Sequence, residues 1–258
     1  MRPVLKKKRN QKNRTAPPGR AGFSLVELLV VIGIIAVLVG LSMPAINAMQ
    51  KSFDSTGSEG MISTALSTAR TLAISRQKYA GVRFQKVYDK DGLQKADQYM
   101  IFIIHDEDQS TLTDEFHAVD GYKPMRLPEN IGVMDLTGIS SISGDAALSN
   151  ATTFSILFSQ AGRLVIHDVQ TRNKDGLTTN GSKDDVFNTK TQVQSGVGMF
   201  LQDDYPADGL DKEQSRNKFV IYDREKFGTM LTDGQKMDYL NGLKPVYVNP
   251  YTGALIEK

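Results

Sequence analysis

The chain has 258 residues, enough for one substantial core or two small ones, with ordinary hydrophobic (40%) and charged (23%) content. It holds no cysteine, which excludes disulfides, thiolate metal sites and cysteine nucleophiles. Residues 1–22 carry eight Lys or Arg and no acid, leaving 23 basic against 29 acidic residues from Phe23 onward; a basic arm on an acidic body (net −6) points to targeting rather than nucleic-acid binding.

Residues 28–41, LLVVIGIIAVLVGL, contain no polar side chain, and in Leu28–Ile46 only Ser42 is polar. As a helix at 1.5 Å per residue this stretch is about 28 Å long, close to the hydrocarbon thickness of a bilayer. It is apolar on all sides, unlike a helix packed on a core. The basic block lies only on its N-terminal side, so the positive-inside rule puts residues 1–22 in the cytoplasm and 47–258 across the membrane. A secretory signal peptide, with Ala48 as the small residue at a cleavage site, shares the basic region and the apolar run. Neither it nor a plain single-span anchor accounts for Glu27 at the head of the run. A carboxylate at the centre of a membrane helix costs on the order of 2.5–3.5 kcal/mol, less near an end, and usually has a partner.

The hexapeptide Gly22-Phe23-Ser24-Leu25-Val26-Glu27, followed by the apolar run, resembles the prepilin processing motif of type IV pilins and type II secretion pseudopilins. The resemblance covers residues 20–50. It requires a glycine before the cut, an aromatic after it and a glutamate four residues beyond the aromatic. It implies that prepilin peptidase cuts between Gly22 and Phe23 on the cytoplasmic side, and that the new Phe23 amine is N-methylated. The partners implied are the peptidase, other pilin or pseudopilin subunits, an inner-membrane assembly platform and membrane lipid; no cofactor is implied. Independently of the family, a cut there creates a cation at Phe23, about one helical turn from Glu27. Neither charge is stable alone in lipid, so pairing within a subunit or with its neighbour favours docking in one axial register. The competing reading of Glu27 is a helix-end carboxylate with no such role.

Pro44, near the far end of the apolar run, is expected to bend the helix. Helical character resumes in 61–76, where Met61, Ile62, Ala65, Leu66, Ala69, Leu72 and Ala73 recur at spacings of three and four. One long helix over residues 24–76 is predicted, with Gly57 and Gly60 loosening it between its halves. After residue 78 the pattern turns to strands: Gly81–Val87, Gln98–His105, Ile131–Leu136, Thr153–Phe158, Leu164–Val169, Lys218–Tyr222 and Pro245–Val248. Residues 160–163 and 249–253 read as tight turns. Segments 137–152, 170–196 and 203–216 read as irregular, the second with little to bury and the third as a solvated acidic loop. The fold class expected is α+β and pilin-like, with a long N-terminal helix, transmembrane in its first half, packed on an antiparallel sheet. The organisation is a cleaved leader (1–22), a transmembrane helix (23–46), its amphipathic continuation (47–76) and a β-rich globular domain (77–258). The order of helix end, strand 99–108, segment 126–133 and hairpin 154–166 is also similar to H-type minor pseudopilins and to DNA-uptake minor pilins of the same fold.

No HExxH, G-x-S-x-G or phosphate-loop pattern occurs, and enzymatic activity is not expected. Of the three histidines, His105, His117 and His167, His105 and His167 end predicted strands beside acids and read as solvated strand ends rather than as metal ligands. Calcium donors could come from Asp203, Asp204, Asp208 and Asp211, or from Asp168, Asn173 and Asp175, but neither set follows the calcium-loop pattern. In 208–258 eight basic and eight acidic residues interleave, which disfavours DNA. The function expected is structural: a single-pass inner-membrane subunit, a minor pseudopilin, of a secretion pseudopilus or type IV pilus-like filament. The alternatives are a DNA-uptake minor pilin and a surface adhesion subunit.

Overall fold

The computed structural model describes residues 25–106, 115–177 and 181–257, with the backbone alone for residues 39–56 and Glu257. The chain divides into two compact units, Met1–Met49 and Gln50–Lys258. The first unit contains the start of helix α1 (Leu25–Arg76), with Glu27 in its first turn, where a carboxylate complements the helix dipole. Every residue from Leu25 to Leu38 is exposed, on all sides of the helix. The expected span Leu28–Ile46 runs on into residues whose side chains lie outside the described ones. Among the described residues, no helix is long and apolar enough to cross a membrane. The helix assignment passes through Pro44, the expected bend, whose side chain is likewise outside the described residues.

In the second unit the predicted stripe is the inner face of α1. Ile62, Ala65, Leu66, Ala69, Leu72 and Ala73 are buried in one cluster with Val82, Phe84, Phe102, Phe154 and Ile156 of the sheet. Each large apolar side chain so buried contributes about 1.5–3 kcal/mol. The helix stops where Gln77 adopts a left-handed φ of 53° and its side-chain amide donates to the Ile74 carbonyl at 2.7 Å.

The strands follow as β1 (Ala80–Lys86), β2 (Gln98–His105), β3 (Glu115–Ala118), β4 (Met125–Arg126) and β5 (Ile131–Met134), then helix α2 (Gly144–Thr152). Next come β6 (Phe154–Phe158), β7 (Leu164–Val165), β8 (Asp168–Thr171), β9 (Phe187–Asn188), helix α3 (Lys190–Gln194) and β10 (Phe200–Leu201). A 3-10 turn (Pro206–Asp208) leads to β11 (Glu213–Gln214), β12 (Lys218–Asp223), α4 (Arg224–Gly228), α5 (Asp233–Asn241), β13 (Val246–Val248) and β14 (Leu255–Glu257). The main sheet runs β11-β8-β3-β2-β1-β6-β7, with β4 also on β2; a second sheet runs β14-β13-β12-β5. Pairing is antiparallel except β3 with β8 and β9 with β10, which are parallel. The fold is therefore α+β with an N-terminal helix and antiparallel-rich sheet.

The two predicted turns close hairpins. Gly162 N–H donates to the Ser159 carbonyl at 2.7 Å between β6 and β7, and Gly253 N–H to Asn249 at 2.9 Å between β13 and β14. Several expectations need correction. The run Leu164–Val169 is not one strand: β7 pairs with β6 and β8 with β3, and Ile166 between them is exposed. Segment 137–152 contains α2, whose Leu148 and Ala151 pack against Met134, Val220 and Phe227; tertiary burial overrides the weak helix propensity of its Ser, Asn and Gly. Segment 170–196 does bury side chains. Val186 and Phe187 join Ile101, Ile103, Phe116, Leu157, Val169 and Phe200 in a core on the reverse face of the main sheet.

That second covering layer explains why β1 is buried along its whole length. Ala80, Val82 and Phe84 face the helix-side core, while Gly81, Arg83 and Gln85 face the reverse side by the two-residue period of a strand. Gly81 sits so close to β6 that a Cβ would lie 2.2 Å from the Ile156 carbonyl oxygen.

Candidate functional site

Two places in the chain carry chemistry beyond packing. At the N-terminus, Gly22 and Phe23 lie outside the described residues. Glu27 is described: it stands exposed in the first turn of α1, at the head of exposed Leu28, Leu29, Val30, Val31 and Ile32.

The other place is a set of charges under the reverse face of the sheet. Arg83 is fully buried in the middle of β1. Its Nε donates to Gln85 Oε1 at 2.8 Å, and its Nη2 donates to Asp203 Oδ1. Its Nη1 reaches Glu213 Oε1 at 3.5 Å. Asp203 Oδ2 accepts from the Thr171 amide at 2.7 Å and its hydroxyl at 3.0 Å. Burial pushes the Asp203 carboxyl up, against the Arg83 charge and both Thr171 hydrogen bonds. Burial pushes Glu213 from the ordinary 4.5 to about 8, against Arg83 and with Asp203. One guanidinium thus serves a fully buried carboxyl, Asp203, and a part-buried one, Glu213, and burial favours the protonated form of both. The acidic segment 203–216 is therefore not a solvated loop, because Asp203 and Glu213 are drawn inward by a cation on a distant strand.

Residues 18–43 match the family described as the prokaryotic N-terminal methylation motif. This N-terminal segment is type IV pilin-like. The match spans the Gly22–Phe23 junction, Glu27 and the apolar run Leu28–Leu41. Searches of curated proteins and of solved structures find no match.

The remaining candidate residues fall into separate places. Asp204 accepts from Arg172 at 2.5 Å, Asp208 pairs with Lys190 at 2.8 Å and Asp168 with Lys212 at 3.1 Å. Asp211 accepts from the Lys212 amide at 2.7 Å, and Asn173 is fully buried, its amide donating to the Leu177 carbonyl at 2.7 Å. The proposed calcium donors are thus directed to different partners. Among the described residues no three His, Asp or Glu side chains gather for a metal ion. The histidines are not all solvated. His105 and His117 are buried, and His167 packs on Tyr79 with ring centroids 4.7 Å apart. Burial lowers the pKa of His117 and raises that of Glu115 to about 7.

Sequence reasoning does not single out Arg83, Glu115, Arg172 or Glu213. The available signal is one of alternation: a charged residue at the fourth position of Ala-Gly-Val-Arg-Phe-Gln-Lys, between apolar Val82 and Phe84, asks for a buried partner.

Glu213 gives the globular unit a signed pH dependence. A carboxyl whose folded pKa is raised contributes stability that is fully present below about 4.5 and lost as pH rises to about 8. Lys86, lowered by burial to about 7 and donating to the Leu93 and Ala96 carbonyls, acts with the opposite sign above pH 7. The clean readout is therefore a difference. Glu213→Gln should gain stability relative to the wild type by a few kcal/mol between pH 5 and pH 8.5 in denaturant melts. A difference that stays constant with pH would show that Glu213 titrates as an ordinary surface acid.

Proposed function

We propose that this chain is a minor, H-type-like pseudopilin: a single-pass inner-membrane subunit that enters a secretion pseudopilus or type IV pilus-like filament. The observation that carries the reading is the methylation motif matched over residues 18–43, a range that includes Gly22, Phe23, Glu27 and the apolar run that follows. In this reading residues 1–22 are a cytoplasmic leader removed by prepilin peptidase. Phe23 becomes the methylated N-terminus, and residues 23–46 anchor the mature chain in lipid. The exposed apolar surface of Leu25–Leu38 supports such an anchor, since it has a large cost in water and none in a bilayer. Filament neighbours, the assembly platform and the peptidase are the partners.

The electrostatics of the globular unit favour a structural role over DNA uptake. Lys78 pairs with Asp106, Arg126 with Asp97, Lys174 with Asp120, Lys190 with Asp208 and Lys212 with Asp168. Cations already neutralised by acids release few counterions from a phosphate backbone.

Processing tests the reading most directly. Gly22→Val is expected to leave the leader attached, because a branched side chain replaces the small residue at the cut. Intact-mass measurement of membrane fractions reads the result. A mature chain beginning at Phe23 in the variant would remove the basis for peptidase processing at this site.

A further inference from the structure

Strand β3 sets Glu115 and His117 two residues apart, on one face of the sheet. The β2–β3 register places Ile104 against His117, and carried two residues further it places Asp106 against Glu115. The Asp106 amide donates to the Glu115 carbonyl at 3.3 Å, continuing the ladder. Three ligand-type side chains thus share one face at the end of this ladder, two of them carboxylates directly opposite each other. Like charges so placed are destabilising. Asp106 has the Lys78 ammonium at 3.2 Å. Glu115 has no such ammonium; the Arg172 charge acts on it without a hydrogen bond, while Arg172 Nη1 is bonded to Asp204.

Glu115 is fully buried and His117 nearly so, yet neither carboxylate oxygen and neither ring nitrogen has a partner at hydrogen-bond geometry, although the main chain of Arg172 and Asn173 lies close to the imidazole. Glu115 Oε1 and His117 Nε2 are 3.4 Å apart. That exceeds an ordinary hydrogen bond. It matches the edge, about 3.3–3.4 Å, of a tetrahedron whose metal–ligand bonds are about 2.0–2.1 Å. His117 also lines a cleft of about 400 Å³, together with Lys78, His105, Asp106 and Asp120, which gives an ion a way in.

The geometry points to a binding site for a divalent transition-metal cation of the zinc class, with Glu115 and His117 as fixed ligands and Asp106 as the third. Asp106 is turned to Lys78, which is why three side chains do not yet gather there. The incoming ion takes the place of that ammonium. A mixed imidazole and carboxylate set selects such an ion over magnesium or calcium, which prefer all-oxygen shells. The site is independent of filament assembly and stands or falls by itself.

The test is a titration of the untagged full chain in detergent with Co²⁺, followed by visible d–d absorption and calorimetry. One equivalent should bind, Zn²⁺ should displace it, and Mg²⁺ and Ca²⁺ should not. Glu115→Gln and His117→Asn should each weaken binding about tenfold or more, with unchanged far-UV circular dichroism. Asp106→Asn should weaken it less, and serves as the informative variant if either of the buried two misfolds. Asp120→Asn, whose side chain is 87% exposed at the cleft rim, should leave binding unchanged. Absence of saturable Co²⁺ or Zn²⁺ binding by the wild type overturns the site. So does wild-type affinity retained in folded Glu115→Gln or His117→Asn, or in Asp106→Asn should those two misfold.

Discussion

Arg83→Met is expected to destabilise the globular unit by about 3–5 kcal/mol, the cost of removing one partner from a buried ion pair. The substitution keeps the aliphatic length of the side chain and removes only the charge and its donors. Asp203 is then left buried without its cation, Glu213 loses the nearer of its cations, and Gln85 loses the Nε donor at 2.8 Å. A domain of this size loses about 2–4 °C in melting temperature per kcal/mol, so the midpoint should fall on the order of 10 °C. Tyrosine fluorescence of the full chain in detergent can follow this, since the chain has nine tyrosines and no tryptophan. The loss should be larger at pH 8 than at pH 5, because at the lower pH the two orphaned carboxyls can take up protons. Adding Asp203→Asn and Glu213→Gln to Arg83→Met removes all three charges together and should recover part of the loss. A melting temperature equal to the wild type in the single variant would mean that the buried cluster contributes nothing.

Glu27→Ala is expected to separate anchoring from assembly. The substitution removes a costly carboxylate from the edge of the apolar run, so membrane insertion should be unchanged or improved. Cleavage at Gly22 should continue, because the cut junction is intact. If Glu27 compensates the Phe23 amine of a neighbouring subunit, its loss leaves that amine unpaired, again at about 3–5 kcal/mol. This corresponds to a loss of about a hundredfold or more in incorporation. Cross-linking or co-purification with filament subunits, run beside membrane fractionation and intact-mass analysis, reads the three steps separately. A correctly processed Glu27→Ala chain that enters filaments at wild-type levels would leave only the anchoring role.

What the sequence by itself determined is what local order encodes. The three- and four-residue spacing of Ile62, Ala65, Leu66, Ala69, Leu72 and Ala73 defines the inner face of α1, because a helix repeats every 3.6 residues wherever it lies. Strands β1, β2, β6 and β12 are legible as runs of β-branched and aromatic residues between turns. The methylation motif is legible because it is one short contiguous stretch of chain and needs no fold to be recognised. Only the tertiary structure decided the fate of the polar segments. Asp203 stands in an acid-rich stretch that in isolation favours water, yet its carboxylate is bonded to Arg83, 120 residues earlier in the chain. Whether a charge is buried depends on a partner and on a covering layer, and neither is encoded near it in sequence. The same holds for β3, four residues long and too short for its alternation to stand out. Its Glu115 and His117 become neighbours of Asp106 only through the register of the β2–β3 pair, and Val186 and Phe187 become core only because a strand face lay open to receive them.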